Sequence, residues 1–205
     1  MTKIAILDYG AGNLFNLRQS IIRNGGETVS IVDNLIGLGK FDGLILPGVG
    51  NFDSAIQAIR KDSSLFMDAI DDGMPVLGIC LGLEMLFDRS EEGTMDGLMV
   101  LPGEVLLLPR KQVKVPHMGW NNLEPIKNSK LLNGIDDGAW VYFVHSYHIN
   151  PSNKTIIVAT SEYGDILPVA IEQKNVFGTQ FHPEKSGIVG SKIIKNFLAI
   201  CSSEK

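Results

Sequence analysis

The amino-acid sequence predicts an α/β fold: a central, mostly parallel sheet flanked by helices, with extra β-strands in the C-terminal half. Three observations lead there. Short apolar runs alternate with stretches of helical spacing as far as Phe87. Several of those runs end in glycine-bearing loops, as expected where parallel strands bring their carboxyl ends to one ligand-binding edge. Beyond Phe87 the alternation gives way to short β-like runs and one closing amphipathic helix.

Taken in order, Lys3–Leu7 reads as a buried strand that ends in Asp8-Tyr9-Gly10-Ala11-Gly12-Asn13, a loop made tight by two glycines. Leu14, Leu17, Ile21 and Ile22 mark a helix that stops at Asn24-Gly25-Gly26. Thr28–Val32 is a second strand and residues 41–46 a third, running into Pro47-Gly48-Val49-Gly50. Ala55, Ile56 and Ile59 share a helical face, and residues 65–70 continue helically. Residues 75–79 form a short buried strand, and helical spacing resumes over residues 81–87. A polar turn at residues 90–93 opens the β-rich half, with strands expected at residues 99–101, 105–107, 139–144, 156–159 and 169–171 and at Val176–Thr179. Ile193, Ile194, Phe197 and Leu198 lie on one side of a final helix over residues 189–200.

The chain has 205 residues, enough for one well-cored domain, and no linker or charge block divides residues 1–205. Its net charge of −5 is spread along the chain, which argues against non-specific nucleic-acid binding. Two cysteines, Cys80 and Cys201, make a disulfide framework improbable and point to a reducing cytoplasm. The first apolar run is too short for a signal peptide, and none reaches membrane-spanning length.

Chemistry concentrates at Gly78-Ile79-Cys80-Leu81-Gly82. Glycines on both sides of a strand-to-helix corner permit a strained backbone that holds the middle side chain at the sheet's carboxyl edge. That side chain is a thiol, and the adjoining helix N-terminus favours thiolate over thiol. A small cysteine packed at a glycine-lined corner is an equal alternative from this stretch alone. A cysteine nucleophile needs a base, a group that orients the base, and oxyanion donors. The base candidates are His117, His145, His148 and His182. His182 and Glu184 fall on one side if residues 182–184 stay extended, which Pro183 favours; a plain polar strand exit is the competing reading. Val49 and Gly50, in a glycine loop at a strand end, and the Leu81 N–H are the oxyanion candidates. The same loop would suit a phosphate, but no Lys-Ser/Thr follows it. No metal or other cofactor is expected, because the histidine spacings gather no ligand set.

Pro47-Gly48-Val49-Gly50, the Cys80 corner and Phe181-His182-Pro183-Glu184 together resemble the class I glutamine amidotransferases, in order and spacing, over nearly the whole chain. The resemblance implies a Cys80–His182–Glu184 triad that hydrolyses the side-chain amide of glutamine through a thioester. The stretches around Tyr9, residues 116–121, residues 142–147 and residues 183–186 are most similar to one branch of that family, the glutaminase subunits of imidazole glycerol phosphate synthase. That branch implies a heterodimer with a (β/α)₈-barrel cyclase subunit in histidine biosynthesis. It also implies that Glu92 and the backbone of His145, Ser146 and Tyr147 hold the amino-acid end of glutamine, and that Asn13, Trp120, Tyr142 and Lys185 meet the cyclase. Without the resemblance Trp120 reads as core packing and Lys185 as a solvated charge; His117, His145 and His148 read as structural or hydrogen-bonding residues. A sugar-amidating synthase as partner, or an inactive glutaminase-like binding protein, are the alternatives.

One residue departs from the family pattern. The family carries glutamine four residues after the nucleophile, where this chain has Glu84. Positions four apart share a helix face, so Glu84 is expected to point into the substrate pocket and to oppose thiolate formation at Cys80; a first-turn glutamate turned to solvent is the competing reading.

Overall fold

The computed structural model describes residues 2–10, 13–111 and 113–203. Four parallel strands come first: β1 (Lys3–Leu7), β2 (Thr28–Val32), β3 (Gly43–Leu46) and β4 (Val76–Ile79). Helix α1 (Leu14–Arg23) links β1 to β2, α2 (Phe52–Arg60) and α3 (Ser63–Asp71) lie between β3 and β4, and α4 (Leu81–Glu84) follows β4. The second half holds β5 (Arg89–Ser90), β6 (Gly103–Leu107), β7 (His117–Pro125), β8 (Ala139–His145), β9 (Tyr147–Pro151), β10 (Ile157–Tyr163), β11 (Asp165–Gln173), β12 (Val176–Thr179) and α5 (Gly187–Ser203).

Nine strands form one sheet in the order β2-β1-β3-β4-β12-β11-β10-β7-β8. β12 inserts parallel to β4, and from β12 outward through β11, β10, β7 and β8 every pairing is antiparallel. β5, β6 and β9 make a separate small sheet. Strand alternation sends Ile4 and Ile6 of β1 to one core with α1 and α5, and Ala5 and Leu7 to another with α2 and α3. The carboxyl ends of β3, β4 and β12 therefore open onto one edge.

Several elements differ from the sequence reading. The third strand starts at Gly43 rather than at residue 41, and residues 65–70 belong to a separate helix, α3. β7 and β9 were not expected. Residues 99–101 are no strand: Met99 sits at φ +55°, and the N–H groups of Val100 and Leu101 bond the Leu86 carbonyl at 3.0 and 2.9 Å. Leu98 N–H likewise takes the Met85 carbonyl at 2.8 Å. α4 ends at Glu84 instead of continuing to residue 87 because the chain tightens there: the N–H groups of Leu86 and Phe87 bond the Leu83 and Glu84 carbonyls at 3.1 and 3.3 Å, three residues back rather than four. In the first loop, Ala11 and Gly12 lie outside the described residues.

Candidate active site

Cys80 sits where β4 turns into α4, at φ +47° and ψ −107°, a conformation costly for any residue with a Cβ. Its N–H is fixed to the Thr179 carbonyl of β12 at 2.7 Å. The corner needs its glycines because backbone packs on backbone. A Cβ on Gly78 would lie 2.6 Å from the Gly82 carbonyl oxygen, and one on Gly82 would lie 2.2 Å from that of Leu46. The buried thiol donates to the Val144 carbonyl at 3.8 Å and accepts from Gln180 Nε2 at 3.7 Å.

Burial pushes the Cys80 thiol well above its ordinary pKa, and Glu84 pushes it further. The Leu81 N–H and Gln180 pull it down, but burial wins. The expected advantage of thiolate at the helix N-terminus is thus outweighed. The reasons are that α4 is a single turn and that its first residues are enclosed.

His182 lies just beyond β12, and its Nδ1 is 2.8 Å from Glu184 Oε1. The two meet differently from the extended arrangement expected, because residues Pro183–Lys185 form a 3₁₀ turn. Pro183 starts that turn instead of prolonging the strand, and Glu184 folds back under the ring. The His182 N–H bonds the Tyr142 carbonyl at 2.9 Å, while the Ser186 hydroxyl donates to the His182 carbonyl at 2.6 Å and accepts from the Tyr142 N–H at 3.0 Å. The ring borders Gly48, where a Cβ would stand 2.8 Å from His182 Cε1. Because a carboxylate can only accept, Nδ1 carries the proton in a neutral ring and Nε2 presents a lone pair. That Nε2 atom is buried and has no hydrogen-bond partner within the protein.

A cavity of about 310 Å³ opens beside the thiol. Its lining gathers most of the sequence candidates: Val49, Gly50, Leu81, Glu84, Glu92, His145, Ser146 and Tyr147, together with Gly48, Pro116 and Val144. Gly50 has φ +146°, open to glycine and awkward for other residues. Glu92 is half-buried; burial raises its pKa, while the Phe52 N–H at the start of α2 lowers it.

Glu84 points where the helical spacing put it, and it is only 3% exposed. Burial raises its pKa to about 8, with Glu92 adding to the rise and a hydrogen bond from Gln180 opposing it. Gln180 Nε2 donates to Glu84 Oε1 at 2.8 Å, so one amide bridges this carboxyl and the Cys80 sulfur. The sequence reading gave Gln180 no role, although a residue two before His182 falls on the same side of an extended chain. It also passed over Tyr9, whose hydroxyl donates to the Pro47 carbonyl at the root of the glycine loop. Tyr9 is held protonated by burial and by the nearby Cys80 and Glu84.

The four candidates for a protein interface lie outside the cavity. Trp120, on β7, is 52% exposed, which corrects its reading as core packing. It stands edge-on to Tyr142 of β8, with ring centroids 5.9 Å apart, and Lys185 Nζ lies 6.0 Å from the Tyr142 ring centre. Asn13 caps α1, its side chain accepting from the Asn16 N–H at 3.2 Å.

The family model for glutamine amidotransferase class-I matches residues 5–201 of this chain. The chain is 43% identical to the imidazole glycerol phosphate synthase subunit HisH of Geobacillus thermodenitrificans, over 100% of this chain and 99% of that protein. It is 46% identical to the HisH subunit of a Synechococcus strain, over 96% and 93% of the two chains. Among solved structures, PurLQS from Thermotoga maritima superposes with a TM-score of 0.79 at 20% identity, over 97% of this chain and 98% of that one. The glutaminase domain of CTPS from Trypanosoma brucei gives 0.68 at 17% identity, over 98% and 94%, so these chains share the fold.

Proposed function

The chain belongs to the class I glutamine amidotransferase family, and from that premise we propose that it is the glutaminase subunit of an imidazole glycerol phosphate synthase. Its reaction is hydrolysis of glutamine, with the ammonia passed to a barrel cyclase. The observation that carries this reading is identity of 43–46% to HisH subunits across nearly the full length of both proteins. The site's geometry supports it independently through an elbow thiol and a carboxylate-held imidazole at the ends of neighbouring strands.

Each residue then has a chemical task. Glutamine enters the cavity with its amino-acid end toward Glu92 and the 145–147 backbone. The Cys80 sulfur turns from the Val144 carbonyl and attacks the side-chain amide carbon, its proton passing to His182 Nε2. Glu184 fixes the ring's tautomer and stabilises the imidazolium. The Leu81 N–H and the Val49–Gly50 peptide donate to the oxyanion. His182 returns the proton to the leaving nitrogen, ammonia departs, and a thioester remains. Water, deprotonated by His182, attacks that thioester and regenerates the thiol with release of glutamate.

Reorientation of the Val49–Gly50 peptide offers a switch, since one oxyanion donor is worth roughly 10²–10³ in rate. Docking of the cyclase accelerates hydrolysis by binding the donor-forward conformer more tightly. The test is glutamate release from glutamine, with and without a purified cyclase and its substrate. The expected result is slow turnover alone, faster turnover in the complex, and imidazole glycerol phosphate formed from glutamine. No glutamine-dependent synthesis with the cyclase, or equal rates alone and in complex, counts against the reading.

A further inference from the structure

Glutamine binding calls on the backbone of residues 145–147, which must itself be held in place. The chain must leave the nine-stranded sheet at His145 and join the small sheet at Tyr147, with only Ser146 between. That abrupt crossing is a wall of the cavity, and the residue before it, Val144, supplies the carbonyl that receives the Cys80 thiol. Two buried histidines meet behind it. His117 and His145 are directly opposed in the β7–β8 pairing, and His117 Nδ1 lies 3.0 Å from His145 Nε2. His145 Nδ1 lies 2.7 Å from the Tyr147 carbonyl oxygen.

Proton positions follow from the last acceptor. A carbonyl only accepts, so His145 Nδ1 carries a hydrogen. Burial holds both rings neutral, the pKa of His145 falling to about 3 and that of His117 to about 4. His145 Nε2 is therefore an acceptor, and His117 Nδ1 must donate to it. His117 is itself clamped: it stacks on Tyr163 with centroids 3.8 Å apart and on Phe143 at 4.7 Å. The Tyr163 hydroxyl is tied to the Lys114 carbonyl at 2.6 Å.

We propose that His117 and His145 are a positioning pair, a fixed relay of hydrogen bonds running from His117 to His145 to the Tyr147 carbonyl that sets the 144–147 wall against which glutamine binds. The proposal rests on the reading of the cavity as a glutamine site. Neither ring is asked to transfer a proton in the reaction; both act through the backbone they fix.

Two measurements test it. Nitrogen-15 NMR of the histidine rings in the wild-type chain is expected to show both residues as neutral Nδ1–H tautomers near pH 7. An Nε2–H tautomer at His145 overturns the relay, whatever the protein's activity. In the second, glutamine kinetics are measured in the complex with the cyclase for His117→Phe and His117→Asn. Phenylalanine keeps both ring stacks and removes the donor. Asparagine restores a donor near the Nδ1 position and gives up the stacks. For His117→Phe, KM is expected to rise about tenfold, the scale of one buried hydrogen bond, with kcat within about threefold of wild type. His117→Asn is expected to recover most of the loss. An unchanged KM in His117→Phe, or a worse KM in His117→Asn, means that the ring serves only packing and refutes the proposal. If His117→Phe does not fold, the NMR result on the wild-type chain decides. A wild-type chain without glutaminase activity overturns the functional reading and leaves the relay to that same spectrum.

Discussion

Opposite ends of the same parallel strands bury the chain's two cysteines in surroundings of different kinds. At the carboxyl ends of β3 and β4, Cys80 stands on a strained corner beside a cavity of about 310 Å³. At their amino ends, Cys201 of α5 borders a larger cavity of about 490 Å³ lined by Leu35, Phe41, Leu65, Met74 and Pro75, with Asp42, Asp68 and Asp72 among its polar groups. Size would select the second. Unmet hydrogen-bonding capacity selects the first. Among the described residues, the buried side-chain atoms without a partner are Thr179 Oγ1, Gln180 Oε1, His182 Nε2 and Glu184 Oε2, all at the Cys80 end. A fold rarely leaves such atoms unmet, because each carries a desolvation cost of about 1–3 kcal/mol. Four in six residues mark the place where stability has been exchanged for chemistry.

Exchanging each cysteine for alanine gives the largest contrast. Cys80→Ala is expected to fold, to lose measurable glutamine hydrolysis, and to leave ammonia-dependent synthesis by the cyclase intact. Cys201→Ala is expected to hydrolyse glutamine at a rate within about twofold of wild type, with a stability loss of roughly 1 kcal/mol. Hydrolysis surviving in Cys80→Ala, measured as glutamate release, removes the thiol from the mechanism. Next in size is His182→Ala, for which kcat/KM is expected to fall by roughly 10²–10⁴ while thermal unfolding changes little. A smaller loss would assign the base elsewhere.

The glycines at the two ends sharpen the contrast in stability. On Gly82 a Cβ meets backbone, the Leu46 carbonyl oxygen at 2.2 Å, and no side-chain change relieves it. On Gly43 a Cβ meets the Cys201 sulfur at 2.4 Å, a side-chain atom. Gly82→Ala is therefore expected to cost about 3 kcal/mol or to prevent folding, and Gly43→Ala about 1 kcal/mol. Adding Cys201→Ala to Gly43→Ala should recover part of that loss, a coupling that denaturant titration of the single and double variants measures. Equal losses at the two ends would mean that the corner is not packed as tightly as its backbone suggests.

How much of this was legible in the sequence depended on whether the signal was local. β1, β2 and β12 are apolar runs bounded by turn residues, and their limits read directly. β7 was invisible because His117-Met118-Gly119-Trp120-Asn121-Asn122 mixes polar groups with a glycine, and its register is set by pairing with β8. Residues 99–101 misled in the other direction, being apolar yet bound to the carbonyls of Leu86 and Phe87 in the turn after α4. The same division holds at the site. The Cys80 corner and His182-Pro183-Glu184 carry their chemistry within a few residues. The Gln180–Glu84 bridge spans 96 positions, and the His117–His145 contact required a strand that the pattern did not reveal.

Glu84→Gln is the smallest expected change, and it asks whether a carboxyl belongs among the strained polar groups of this end. Its pKa is raised from 4.5 to about 8, chiefly by burial. Below pH 4.5 the group is protonated in folded and unfolded chains alike, and it costs nothing through ionisation. As pH rises from 4.5 toward about 8 the unfolded chain loses this proton while the folded one keeps it, so wild-type stability declines. Above about 8 both forms are ionised and the penalty is constant. Glutamine does not titrate, and it retains an oxygen to accept from Gln180. The variant should thus match wild type at and below about pH 4 and exceed it progressively from there up to about pH 8, in denaturant midpoints measured across that range. Activity follows from the same charge. Cys80 and Glu84 ionise in one enclosed space, and each anion opposes the other. With glutamine at position 84 the thiol meets one opponent fewer, so the rising limb of kcat/KM against pH should shift to lower pH in the complex with the cyclase. A stability difference flat from about pH 5 to 9 would place the ionised carboxylate in contact with solvent in the folded chain. An unshifted limb would uncouple it from the sulfur, and a collapse of activity would give the carboxylate itself a positive part in holding glutamine.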